Sequence, residues 1–313
     1  MSSAPTDQPD REREGAPRPP SDSSAQNAVR VAARPRAAPR AYEASSHELA
    51  PALPARDRTS VRHGAGRRVA IAAGLSLMPL LFLAGVGCAG LERVTGRWWE
   101  LRRDSSGQAP DPATTREAVI QVYAARAVGW RGVLAVHTWI ALKPSGASAY
   151  TRYEVVGWGV DRGAPAIRVN RMGPDNHWFG SRPDLLVDRR GEGVDGLIAE
   201  VEAAVKAYPY PASYRTWPGP NSNTFTAYVG RAVPGLRLGL PPTAIGKDYL
   251  PGAALAGISP SGTGLQLSLF GLAGLLVGWE EGLEVNLLGL TVGLDIRHPA
   301  LKLPAVGRLG MRY

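Results

Sequence analysis

The chain is predicted to be an α+β protein: a mainly antiparallel sheet with packed helices, preceded by a disordered tail and one transmembrane helix. Three observations predict this. Neighbouring apolar runs separated by turn residues read as sheet strands. Two later stretches keep a helical three-and-four spacing. An uncharged run of 23 residues, 69–91, precedes them all.

Residues 1–66 hold nine prolines, many charges and few large apolar groups, so they bury too little surface to offset the entropy of an ordered chain. About 245 of the 313 residues remain, enough for one domain and an anchor. A mean hydropathy of -0.14 excludes a transporter with many spans. The formal charge of +9 is almost wholly arginine, since Lys143, Lys206, Lys247 and Lys302 are the four lysines. The excess is spread evenly: residues 1–68 carry twelve basic and eight acidic side chains, and the rest carry 24 and 19. Nucleic-acid binding calls for a concentrated basic stripe within a known module, and neither is present, so no nucleic-acid partner is expected. The one cysteine, Cys88, rules out an internal disulfide and a cysteine zinc site. No metal and no cofactor are expected, because the histidines are scattered and phosphate-loop, HExxH and G-x-S-x-G patterns are missing.

The run 69–91 is flanked by Arg67 and Arg68 before it and by Glu92 and Arg93 after it, and is followed by Trp98 and Trp99. At about 1.5 Å per residue it is long enough for a hydrocarbon core of roughly 30 Å, with the tryptophans at the interface. It is longer than the core of a cleaved signal, although cleavage near residues 87–89, or lipidation of Cys88, stays open. A small excess of arginine on the N-terminal side favours a cytoplasmic N-terminus. The expected location is therefore the bacterial cell membrane, single-pass, with the C-terminal domain extracytoplasmic and the membrane lipid met through residues 69–91. The anchor region is placed at 67–93 and a turn-rich linker at 94–117.

The core domain is expected at 118–248. Residues 118–124 and 132–142 read as strands, the second apolar on both faces and therefore central. Residues 149–158 should be its neighbour, through the turn at Pro144-Ser145-Gly146, with a short strand at 166–170. Val194, Leu197, Ile198, Val201, Val205 and Tyr208 mark an amphipathic helix that stops near Pro209. A second helix starts at Asn221 or Ser222, among four capping residues, and ends at Pro234-Gly235. A C-terminal region, 249–313, is rich in glycine and leucine. Leu265, Leu267 and Leu269 alternate with Gln266 and Ser268, and Leu283, Val285 and Leu287 alternate with Glu284 and Asn286, which is a strand period. Packed β-hairpins and a membrane-dipping element both fit so many exposed-looking leucines. Glu280-Glu281 reads as a solvated turn, and His177 as a surface or ligand-contact residue.

Two places could carry chemistry. His137 puts an imidazole in a central strand. Ser222, in W-P-G-P-N-S-N-T-F, puts a hydroxyl at a helix N-terminus, where free amides and the helix dipole favour developing negative charge. A histidine and a hydroxyl in reach of each other make a base and a nucleophile. Asn221 is a second cleft candidate, and Tyr153, Glu154 and Asn170 are candidates to orient the imidazole. The plainer alternatives are a capping serine, a turn asparagine and a hydrogen-bonded core histidine.

The blocks HTWI, YEVVGWG, WPGPNSNTF, LPPTAIGKDYLPG and SGTGLQLSLFGL resemble a bacterial family of membrane-anchored proteins of unknown function, over about residues 116–310. More remotely, the order of strand histidine, further strands and an Asn-x-x-x-Phe helix start is similar to the circularly permuted papain-like superfamily. That resemblance implies a permuted papain-like fold, with Asn221 on the family's asparagine, Ser222 on its cysteine nucleophile, Phe225 on its phenylalanine and His137 on its strand histidine. An alcohol in place of a thiol departs from the pattern, since it stays protonated and needs a well-aligned base. The expected function is therefore a non-catalytic envelope binding module with an envelope peptide or lipid ligand. The alternative is an extracytoplasmic hydrolase or acyltransferase of amide or ester bonds using Ser222 and His137.

Overall fold

The structure, a computed structural model, describes residues 97–311 together with 79–80 and 83–87, all within one compact unit. The tail 1–66, Cys88 and most of the run 69–91 lie outside the described residues. Residues 79–80 and 83–87 are helical, and among the described residues no helix is long and apolar enough to cross a membrane.

The fold is α+β with two antiparallel sheets and few helices. The first sheet takes β1 (Val119–Arg126), β2 (Val136–Lys143), β3 (Thr151–Val155), β4 (Ile167–Val169) and β5 (Asp184–Arg190) in the order β4-β3-β2-β1-β5. β2 is central and wholly buried, which is why it reads apolar on both faces. Its even positions, with Ile140 and Leu142, meet α1 (Val194–Lys206) and α2 (Ser222–Ala232) in the main core. Its odd positions, with Trp139 and Ala141, join Tyr123, Trp178 and Phe179 in a second, aromatic core on the opposite face.

Three local expectations are corrected. The strand expected over 132–142 begins at Val136, because residues Gly129–Val133 form a 3-10 turn. β5 was not expected: Asp184, Asp188, Arg189 and Arg190 dilute its apolar alternation, and it pairs at the sheet edge with β1. The cap of α2 is Asn221 rather than Ser222. The Asn221 side chain accepts from the amides of Asn223 and Thr224, and the Thr224 hydroxyl accepts from the Asn221 amide. Its own amide group donates to the Thr216 and Ile245 carbonyls at 3.0 and 3.1 Å. Asn221→Ala is therefore expected to lower stability by about 2 kcal/mol, the upper end of cap effects, with a smaller change for Ser222→Ala. Denaturant titration of both variants checks the order.

The second sheet is a meander of β6 (Ala256–Ile258), β7 (Gly264–Leu269), β8 (Ala273–Gly278), β9 (Gly282–Leu287), β10 (Leu290–Asp295), β11 (Ala300–Leu303) and β12 (Gly307–Gly310). The hairpin periods are as expected, and it is the polar set that faces inward. Gln266, Ser268, Glu284, Asn286, Thr291 and Lys302 point inward and are buried, while the leucines and valines between them are exposed. The inward side chains find partners at the end of α2 and in the segment between α2 and β6. Gln266 donates to Asp248 Oδ1 at 2.5 Å, Ser268 donates to the Asp248 carbonyl at 2.5 Å, and Arg231 donates to Gln266 Oε1 at 2.5 Å. Glu281 is buried too, which corrects its reading as a solvated turn. Its carboxylate accepts from the Ser261 amide at 2.8 Å and the Ser261 hydroxyl at 2.7 Å.

Candidate functional site

On β2 and β3 the aromatic face gathers most of the unusual chemistry of the first sheet. Cross-strand register sets Trp139 beside Glu154 and Ala141 beside Arg152, so Glu154 and Arg152, two apart on β3, share the face of His137 and Trp139. His137 Nε2 donates to Glu154 Oε2 at 2.9 Å, and the Arg152 guanidinium donates to the same oxygen at 2.8 Å. All three side chains are buried. Burial lowers the imidazole pKa from its ordinary 6.5 against the opposing pull of Glu154, so the ring is neutral at pH 7 and its proton sits on Nε2. Burial alone would raise the Glu154 carboxyl. The hydrogen bond from His137 and the charge of Arg152 outweigh it and hold the group at about 2.

Aromatic rings wall this dyad. His137 stacks on Trp178 with centroids 3.8 Å apart, and Trp178 stacks on the half-exposed Trp158 at 5.7 Å. Phe179 meets Trp178 edge-on at 5.0 Å. The Arg152 guanidinium lies 4.1 Å from the centre of Trp139, and its remaining end donates to the Gly173 carbonyl at 3.0 Å. A shallow depression of about 630 Å³ adjoins Arg152 and is lined also by Tyr150, Asn170, Asp175, Asn176 and Ser105.

The structure does not bring His137 and Ser222 together. Thr138, the next residue along β2, faces the helices. Its hydroxyl lies 3.2 Å from the Ser222 carbonyl, 3.1 Å from Asn223 Oδ1 and 2.9 Å from Thr226 Oγ1. Successive strand side chains point to opposite faces, so the imidazole is directed away from the helix start, with the sheet between. The expected base and nucleophile therefore stand at two separate places, His137 beside Trp178 and Ser222 at the start of α2. Of the three orienting candidates, Glu154 is the one that reaches the imidazole. Tyr153 turns to the helix-side core, and Asn170 accepts from the Arg152 amide at 2.7 Å, fixing β3 rather than the ring. Asn221 serves α2 as its cap. His177 is buried rather than at the surface, with Nδ1 3.0 Å from the Asp104 carbonyl.

Arg152, Trp158 and Trp178 escape the sequence reading. The available signal was Arg152-x-Glu154 on a strand next to His137-x-Trp139, which puts a cation, a carboxylate, an imidazole and an indole on one face. Trp178 comes from a loop, and no period announces where a loop side chain will lie. Among the curated proteins and the solved structures, none matches this chain. Residues 117–249 match the family model described as protein of unknown function (DUF3750), so the stretch holding both sheet faces of β2 is similar to a family of unknown function.

Proposed function

We propose that the chain is a single-pass, membrane-tethered envelope protein whose folded part is a non-catalytic binding module outside the cytoplasm. The observation that carries the non-catalytic reading is the placement of His137 and Ser222 on opposite faces of β2. An alcohol becomes a nucleophile only when a base takes its proton within hydrogen-bond reach, and here the imidazole is instead held by Glu154 and covered by Trp178. The hydrolase and permuted papain-like readings lose their support with that pairing. The tether rests on residues 69–91 and their flanking arginines.

Fluorophosphonate treatment of the purified full-length chain should give no labelling. Labelling that disappears in Ser222→Ala would restore the enzyme. For the tether, an alkaline phosphatase fused after residue 115 should be active and a β-galactosidase fused there inactive; the reverse pattern would place the domain in the cytoplasm.

A further inference from the structure

The second sheet is inside-out, and the register shows how completely. One row across it runs Ile258, Leu265, Val277, Leu283, Leu294, Leu301 and Leu309, each paired with the next on all seven strands. A second runs Ala256, Leu267, Leu275, Val285 and Val292. A third runs Leu269, Ala273, Leu287 and Leu290. No outward position in these rows offers a charge or a side-chain hydrogen bond. Leu265 is 71% exposed and Leu287 is 63% exposed. Seven strands and up to six residues per strand bound the face at roughly 30 by 20 Å, at the upper end of the largest apolar patches that monomers leave in water, a size that often marks a functional surface.

We propose that this face is a lipid-docking surface that lies flat on the acyl-chain region of one leaflet. Two features favour lipid over a second copy of the chain. Protein interfaces carry a polar rim and about one hydrogen bond per 100–200 Å², whereas here large apolar side chains stand at the hairpin tips of both ends, and the ion pair of Arg297 with Glu280 borders one end only. Phe270 and Leu288 stand at the hairpin tips of one end, and Trp279 and Ile296 at the other, with Ile296 80% exposed. Phe270 and Leu288 also hold φ of 53° and 54°, a left-handed conformation where asparagine or glycine is usual and bulky residues are rare. Hydrocarbon asks for no hydrogen bonds and accepts tryptophan at its boundary. Residues 69–313 carry 24 basic and 19 acidic side chains, and this net positive charge adds attraction to anionic headgroups.

Strand length sets the limit of insertion. Six residues fall short of the roughly 9–11 that a spanning strand needs, and the edges at β6 and β12 could not be satisfied inside hydrocarbon. The sheet therefore rests on the leaflet with its charged face turned to the rest of the domain. This inference rests on the proposed tether only for which membrane lies within reach.

The test uses the full chain in a Cys88→Ser background, carrying Leu267→Cys or Val285→Cys with an environment-sensitive fluorophore, and Glu192→Cys as an exposed reference. Each is reconstituted into vesicles of phosphatidylcholine and phosphatidylglycerol. Doxyl-labelled lipid should quench the probes at 267 and 285 several-fold more than the probe at 192, and aqueous iodide should show the reverse order. Iodide access at 267 and 285 equal to that at 192 would overturn the proposal. So would protection from both quenchers, which would mean a second copy covers the face. A chain that floats and quenches at 267 yet is stripped by alkaline carbonate keeps the lipid face and loses the transmembrane tether. One that resists carbonate without quenching keeps the tether alone.

Discussion

Glu284→Ala is expected to lower stability by about 3–5 kcal/mol, the cost of removing one partner from a buried ionic group, and to leave much of the chain unfolded at 37 °C. Glu284 is the shared anion of two lysines under the second sheet. One of its oxygens pairs with Lys247 and the other with Lys302 at 2.6 Å, and all three side chains are buried. Burial by itself would raise the carboxyl, but the two ammonium groups hold it below the ordinary range. Their own charge is in turn kept by it: Lys247 is raised above the usual lysine value even though burial pulls it down. Removing the carboxylate leaves two buried ammonium groups without their shared partner. The triple replacement Glu284→Leu, Lys247→Met and Lys302→Met should recover most of the loss, because an apolar group of similar volume has no charge to desolvate. Thermal melts of the single and triple variants check both statements. A Glu284→Ala variant as stable as wild type would mean that water reaches the cluster.

The second large effect is expected at Glu154. Glu154→Ala leaves Arg152 buried without its carboxylate and His137 without its acceptor, and should cost about 3–5 kcal/mol. A carboxyl held at about 2 rather than its ordinary 4.5 carries about 3 kcal/mol, which agrees. Its folded-state pKa is depressed, so its contribution is complete above pH 4.5 and drains away as pH falls toward 2. The imidazole is also depressed, from 6.5, so folding loses stability as pH falls below 6.5, where the unfolded chain takes up a proton that the folded one refuses. The acid limb of the stability curve should therefore begin near pH 6.5 and steepen below pH 4.5. His137→Phe, which keeps a ring against Trp178 but cannot donate to Glu154, should flatten the first part and also shrink the second, because the hydrogen bond from His137 helps to hold the Glu154 carboxyl down. Chemical denaturation across pH 3–8 measures both windows, and an unchanged first part would show that another group causes it.

Much of this architecture was legible in the residues. β2 was recognisable as central because a strand that carries apolar residues on both faces, as Trp139, Ile140, Ala141 and Leu142 do here, must be covered on both sides. α1 followed from its three-and-four spacing, and α2 from its crowded caps. The leucine alternation of β7 and β9 gave their strand period. β5 was hidden, because an edge strand with four charges has little apolar contrast, and Trp178 was hidden because loops carry no period.

Periodicity reports which residues share a face, since it follows from backbone geometry within one element. It does not report which way that face turns, because direction depends on what packs against it from elsewhere in the chain. His137 and Ser222 could be paired on paper while β2 stood without its surroundings; the parity of one residue, Thr138 against the helices and His137 against Trp178, separated them. The same holds for the second sheet. Its leucines and its glutamate, glutamine and lysine alternate equally well with either set inward. The ionic and amide partners supplied by Arg231, Lys247 and Asp248 drew the polar set inside and turned the leucines out.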